Sequence, residues 1–192
     1  MKKVGLFLLV ALAAAMLLSG TALAQGDNSV YFVTYYSNNV SGAPDATVRF
    51  INDGDTDGSL WAAIYVFDDS QELVACGVCG ITADGLLSED VKLELTNNPL
   101  TGRVPTRGVI KVISTLREDP TNVAPQPGLR GWATHIQRAT PTSGAYSTTE
   151  APVADSNLGE GEQTLLQNLC GYAGLLGSGQ GAVSCTREDQ DF

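Results

Sequence analysis

The first 24 residues constrain this chain more than any other stretch. Lys2 and Lys3 give a positive start, and an apolar run follows from Val4 to Leu18. Ala22-Leu23-Ala24 then places small residues at the two positions that signal peptidase reads, just before Gln25. This is the tripartite pattern of a secretory signal peptide, and its apolar core is short for a membrane span. No cysteine follows the expected cut, which argues against a lipid anchor. The expectation is an exported protein that starts near Gln25, is open to disulfide chemistry, and has no stable membrane insertion after signal cleavage.

Residues 25–192 suffice for a single domain that buries roughly 70% of its unfolded surface. Removing two lysines and no acids leaves nine basic residues against 21 acidic ones, a net charge of −12. Such a surface repels nucleic acid and keeps an exported protein dispersed, so nucleic acid is excluded as a partner. The single histidine, His135, removes many catalytic and metal constellations. Four cysteines (Cys76, Cys79, Cys170 and Cys185) read as two disulfides with three conceivable connectivities.

Along the chain, Val30–Ser37, Ala46–Asn52 and Ser59–Asp68 are rich in β-branched, aromatic and apolar residues. Gln71–Cys76 reads as a return strand across the Asp68-Asp69-Ser70 turn. Val91, Leu93 and Leu95 alternate with Lys92, Glu94 and Thr96, which predicts a strand with one dry face. Gly108–Thr115, Gly131–Arg138 and the weaker Ser143–Ala151 complete the set. Gly, Pro, Asn and Asp clusters separate these runs at short intervals, with no helices interleaved. The pattern predicts a mainly β chain, an antiparallel immunoglobulin-like β-sandwich. Its expected core is Val48, Phe50, Trp61, Ile64, Val66, Val91, Leu93, Leu95, Val109, Ile113, Trp132 and Ile136.

One segment departs from this. Between 160 and 177, Leu165, Leu169, Tyr172, Ala173 and Leu176 recur at three- and four-residue spacing, with Leu166 and Cys170 alongside. Glu160 and Glu162 suit a helix N-terminus and Gly177 a stop. The spacing predicts one C-terminal helix that holds only when packed against the sheet, covering one face or edge of the sandwich.

The stretches Thr47–Thr82 and Leu86–Thr115, with the closing LCGYAGLLGSGQGAVSC, resemble a group of uncharacterised secreted bacterial β-rich proteins. The resemblance covers about two-thirds of the exported chain and implies secretion and β character, with no activity attached. It also implies extra cysteines in relatives where this chain has Trp61 and Gly77, so that Trp61 would fill the core in place of a staple.

Four features invite chemistry. The Cys76-Gly77-Val78-Cys79 motif could cycle as a dithiol, but no helix starts there to stabilise a thiolate, so a structural disulfide is favoured. The favoured pairing is Cys76–Cys79 with Cys170–Cys185, the crossed arrangements remaining open. Asp53-Gly54-Asp55-Thr56-Asp57-Gly58 matches the first half of a calcium loop, with candidate ligands Asp53, Asp55 and Asp57. Position twelve of that loop is Ile64 in place of the bidentate Glu, so a solvated acidic turn is the preferred reading. Gly177–Gly181 reads as a return turn after the helix, and His135 as an exposed strand residue. Together these point to a secreted or cell-surface structural, adhesive or protein-interaction module that takes a protein or a surface glycan as partner. Calcium is the one cofactor left open. A secreted carbohydrate-active enzyme or accessory domain using acidic residues is the alternative, and a redox protein the third class.

Overall fold

A computed structural model of the protein describes residues 28–37, 42–56, 58–138, 144–176 and 179–185. Residues 1–27, which include the expected signal segment, lie outside the described residues, as do Asp57 and Gly177, the expected helix stop. Nine strands form two antiparallel sheets: β1 (Tyr31–Ser37), β2 (Thr47–Asn52), β3 (Leu60–Asp68), β4 (Leu73–Ile81), β5 (Leu86–Asp90), β6 (Arg107–Thr115), β7 (Leu129–Arg138), β8 (Tyr146–Pro152) and β9 (Ala154–Asp155). One sheet has the order β4-β3-β6-β1-β9, the other β5-β2-β7-β8. Among the described residues one α-helix, α1 (Glu160–Leu175), follows. The architecture is mainly β, as the strand pattern predicts.

The apolar core between the sheets draws on seven strands, with Phe32, Phe50, Ile64, Val66, Ile110, Val112 and Leu129 among its members. A second cluster lies on the outer side of the five-stranded sheet. Tyr31, Ala63, Tyr65, Phe67 and Ile113 pack there under Leu166, Cys170 and Ala173 of α1. The five-stranded sheet is therefore buried on both faces. That is why β3 reads LWAAIYVFD with hardly a polar break: its even positions enter the inter-sheet core and its odd ones meet the helix side. The four-stranded sheet is covered on one face only, and β2 alternates accordingly, with Val48, Phe50 and Asn52 inside.

The β3–β4 hairpin turns where Asp68 Oδ1 accepts the amides of Ser70 and Glu72 at 2.9 and 3.0 Å. Gln71 takes a left-handed φ of 68° there. A bulge between Val66 and Phe67 leaves Val74 unopposed, so that Ala75, Cys79 and Ile81 face the core while Cys76 faces α1. Gly108, the second residue of β6, lies against the end of β3, where a Cβ would collide with the Phe67 carbonyl oxygen.

Three expectations need correction. First, Val91–Leu95 is one π-helical turn and no strand. Asp45 draws it out of the sheet: its carboxylate accepts the amides of Ala46 at 2.9 Å and Lys92 at 2.6 Å. The Asp90 amide bonds Glu94 Oε2, and Thr96 Oγ1 bonds the Val91 carbonyl. Val91 and Leu95 are buried, whereas Leu93 is 59% exposed. Second, Trp61, Trp132 and Val109 are only half-buried. Trp61 lies over Gly80 on the outer side of the sheet, and Gly77 faces the opposite side, against Val183. Those two positions cannot bond to each other on this backbone, and Trp61 does not fill the core. Third, only part of the recurring apolar set of α1 meets the sheet: Ala173 and, partly buried, Leu169 do so, together with the neighbouring Leu166 and Cys170. Leu166, Cys170 and Ala173 are buried, whereas Leu165, Tyr172 and Leu176 are exposed.

Candidate functional site

The cysteines pair as Cys76–Cys170 and Cys79–Cys185, and no described cysteine is free. The locally closed pairing is overturned, for a reason of strand geometry. Both cysteines of the CGVC motif lie inside β4, and a spacing of three in an extended strand puts their side chains on opposite faces. Their α-carbons are then about 10 Å apart, beyond the reach of a disulfide. Cys76 meets α1 on the outer face, and Cys79 turns into the inter-sheet core toward Cys185. The dithiol that a cycling C-x-x-C motif requires is therefore not formed.

The two bonds organise the C-terminal region. After α1 the chain returns through Gly179 and Gly181, both with left-handed φ, and Asn98 Nδ2 donates to the Gly179 carbonyl at 2.6 Å. The Gly181 carbonyl then accepts from the Cys76 amide at 2.8 Å, and the Val183 amide donates to the Cys76 carbonyl at 3.1 Å. The Ser184 amide reaches the Glu94 carbonyl. This segment runs beside β4 and closes the edge of the sheet, and Cys185 fastens it. An open cleft of about 220 Å³ lies where this segment meets α1, with the Cys76–Cys170 bond in its wall.

The other disulfide sets how α1 is turned. Cys170 must face β4, so Leu166, one turn before it, and Ala173, one turn after it, face the sheet as well. A polar cluster holds the first turn: Lys111 Nζ is 2.6 Å from Glu162 Oε1, and the Tyr31 hydroxyl donates to the same oxygen at 2.8 Å. Burial pushes the Glu162 carboxyl up, but the two hydrogen bonds and the Lys111 charge outweigh it, and the group sits below its ordinary range. Tyr31 is raised by burial first and by Glu162 second. Lys111 also stands 5.0 Å from the centre of the Phe67 ring. Sequence reading missed this cluster, since its three members lie on β1, β6 and α1 and no local spacing joins them.

With that orientation fixed, the opposite side of α1 carries Leu165, Asn168, Tyr172 and Leu175 at spacings of three, four and three, with Leu176 adjoining. Leu165 is 49% exposed, Tyr172 69%, Leu175 82% and Leu176 65%. From Gln163 to Leu176 the helix bears no carboxylate and no cation. Beside the stripe is an open hollow of about 570 Å³ lined by Thr121, Gln167, Asn168, Gly171, Tyr172 and Leu175. Gln167 Nε2 donates to the Thr121 carbonyl at 3.0 Å and holds one wall in place.

The 53–58 loop is built around Asn52, which is buried. Its Nδ2 donates to the carbonyls of Gly58 and Ile81, and its Oδ1 accepts the Gly54 amide. Asp53 accepts the Asp55 amide at 3.2 Å and meets Arg130 Nε at 3.3 Å. A cation taken up by Asp53 would have to displace that guanidinium, while Asp55 is exposed and gives Asp53 only its backbone amide, and Asp57 lies outside the described residues. Among the described residues, the one group of three possible ligands close enough to share an ion is Cys79, Glu89 and Cys185, and its two sulfurs are bonded to each other.

His135 is not the exposed residue expected. It is 5% exposed and stacks on Tyr35 with ring centres 4.0 Å apart, and Gln137 Nε2 donates to the Tyr35 hydroxyl. Burial lowers its pKa, and its Nδ1 has no hydrogen-bond partner among the described residues. Neither Trp61 nor Trp132 lines either of the two openings described above.

No protein family, no curated protein and no solved structure matches this chain. Among the described residues no helix is long and apolar enough to cross a membrane.

Proposed function

We propose that this is an exported protein-interaction module, extracellular, periplasmic or held at the cell surface, with the outward side of α1 as its contact face. The observation that carries the reading is the Leu165–Tyr172–Leu175–Leu176 stripe, an uncharged apolar strip on an otherwise strongly acidic chain. A contiguous apolar strip in water marks a contact site far more often than scattered apolar residues do. Its support is rigid, because a disulfide and the Glu162–Lys111–Tyr31 cluster hold the helix in one orientation. Two disulfides suit an oxidising compartment, in keeping with the signal-peptide pattern. The carbohydrate-active alternative draws no support from the tryptophans, which lie on strand surfaces away from these openings.

Site-specific photocrosslinking tests the reading. A photoreactive residue at position 168, on the stripe, is expected to give polypeptide adducts in producing cells. One at the exposed Lys92 position is expected to give few. Equal or absent adducts at the two positions would overturn the proposal.

A further inference from the structure

The stripe borders the open hollow, with Tyr172 and Leu175 belonging to both, so two copies of the chain can each offer a projection and a recess at once. We infer that the contact face of α1 is a self-association surface, on which a second copy packs its α1 antiparallel about a two-fold axis near Gly171. This rests on the interaction reading above and names the partner.

Three observations point to a second copy. The first is shape. Tyr172 and Leu175 stand out from the helix, whereas Gly171 leaves the adjoining wall of the hollow without a side chain, and a Cβ built on Gly171 meets nothing within 4 Å. In a two-fold arrangement each copy offers both the projecting ring and the recess, as an isologous interface requires. The Leu165-Asn168-Tyr172-Leu175 spacing is that of a helix-packing seam, and the polar Asn168 lies inside it, where such a residue fixes register.

The second observation is charge. A chain with ten more acids than bases repels its own copies over most approaches. The side of α1 from Gln163 onward is free of carboxylates, so two copies can meet there without opposing them. The antiparallel arrangement keeps the acidic first turns, with Glu160, at opposite ends of the contact and opposes the two helix dipoles favourably.

The third is area. At roughly 100–150 Å² for each of the four large exposed side chains, the stripe amounts to about 500 Å² per copy. Adding the walls of the hollow brings a pair of copies to about 1,200 Å² in total, the lower end of specific interfaces. The expected association is accordingly weak, of micromolar order, and strengthened by salt as the acidic surfaces are screened.

The test is sedimentation equilibrium of the exported, disulfide-intact protein at low and high salt, with three variants. Wild-type protein is expected to show a reversible monomer–dimer equilibrium that tightens at high salt. Gly171→Leu fills the recess at a position open to solvent and replaces a poor helix former. It is expected to weaken dimerisation at least tenfold while the thermal melt stays or rises. Tyr172→Asp is expected to do the same by removing the projecting ring, and Lys92→Asp to leave the equilibrium within twofold. A protein that remains monomeric at millimolar concentration, or a dimer indifferent to both helix variants, would overturn the inference. Photocrosslinking at position 168 separates the two levels. Adducts of twice the chain mass support the second copy. Adducts with another polypeptide, together with a monomeric protein, would refute self-association and leave the interaction reading standing. No adduct at all would remove both.

Discussion

The outer surfaces of the two sheets differ in what the sequence put there and in what came to cover them. On the four-stranded sheet the outward positions of β2 and β7 carry Thr47, Arg49 and Thr134, and Arg49 reaches across to Glu150 of β8 at 3.5 Å. Water can remain there. On the five-stranded sheet the corresponding positions carry Tyr31, Ala63, Tyr65, Phe67 and Ile113, which need a cover. A helix bonded through Cys170 to the middle of β4 supplies it. The lesson is that covering one apolar surface moved another outward. A helix with apolar residues on two sides can bury only one of them, and the disulfide determined which.

The sharpest way to break this contrast is to truncate Tyr65, which is fully buried beneath the cover and donates to the Pro120 carbonyl. Tyr65→Ala is expected to cost about 3–5 kcal/mol in denaturant unfolding. Arg49→Ala, on the open sheet, should stay within about 1 kcal/mol. Comparable losses at the two positions would contradict the one-sided cover. Next in size, replacing Cys76 and Cys170 together by Ala removes a link between residues 94 apart in sequence. Because Cys79–Cys185 still joins the two segments, the circuit this bond closes is only about 20 residues, worth about 3 kcal/mol in the chain-entropy model, and proteolysis should then attack α1 before the sheets open. A smaller contrast sits within the π-helical turn. Leu95→Ala is expected to cost about 2–5 kcal/mol and Leu93→Ala less than about 0.5 kcal/mol.

That last pair also shows how far the sequence was legible. Residues i and i+4 share a face in a strand and in a helical turn alike, so Val91 and Leu95 are buried under either reading. Only Leu93 distinguishes them, and the amide acceptor that decides the matter, Asp45, lies nearly 50 residues upstream. The same ambiguity governed α1. Its apolar residues populate two sides, and propensity cannot choose between them, whereas the single contact from Cys170 to Cys76 does. The strands themselves were readable because the two-sided burial of β3 and the one-sided burial of β2 each leave a period in the sequence. The CGVC pairing was readable in principle as well. Once the motif is placed inside a strand, a spacing of three forbids the local bond. Tyr31, Lys111 and Glu162 were not readable, because their meeting depends on how α1 is laid across β1 and β6.

The smallest effect expected is on pH. His135 is buried and its pKa is lowered, so it stays neutral in the fold while the unfolded chain takes up a proton below its ordinary value of 6.5. Its contribution to stability is present above that pH and is lost as pH falls toward the lowered folded value. His135→Gln should flatten the melting temperature between about pH 6.5 and 5 relative to wild type. An unchanged slope would mean that the histidine is solvated.

The claim on which the contrast rests is that α1 is bonded to β4 through Cys76. Partial reduction of the disulfide-intact protein, followed by cyanylation and cleavage at the released cysteines, tests it directly. Singly reduced species should show Cys76 and Cys170 freed together, or Cys79 and Cys185 freed together. Release of Cys76 together with Cys79 would restore the local pairing, unfasten the helix from the sheet, and contradict the account.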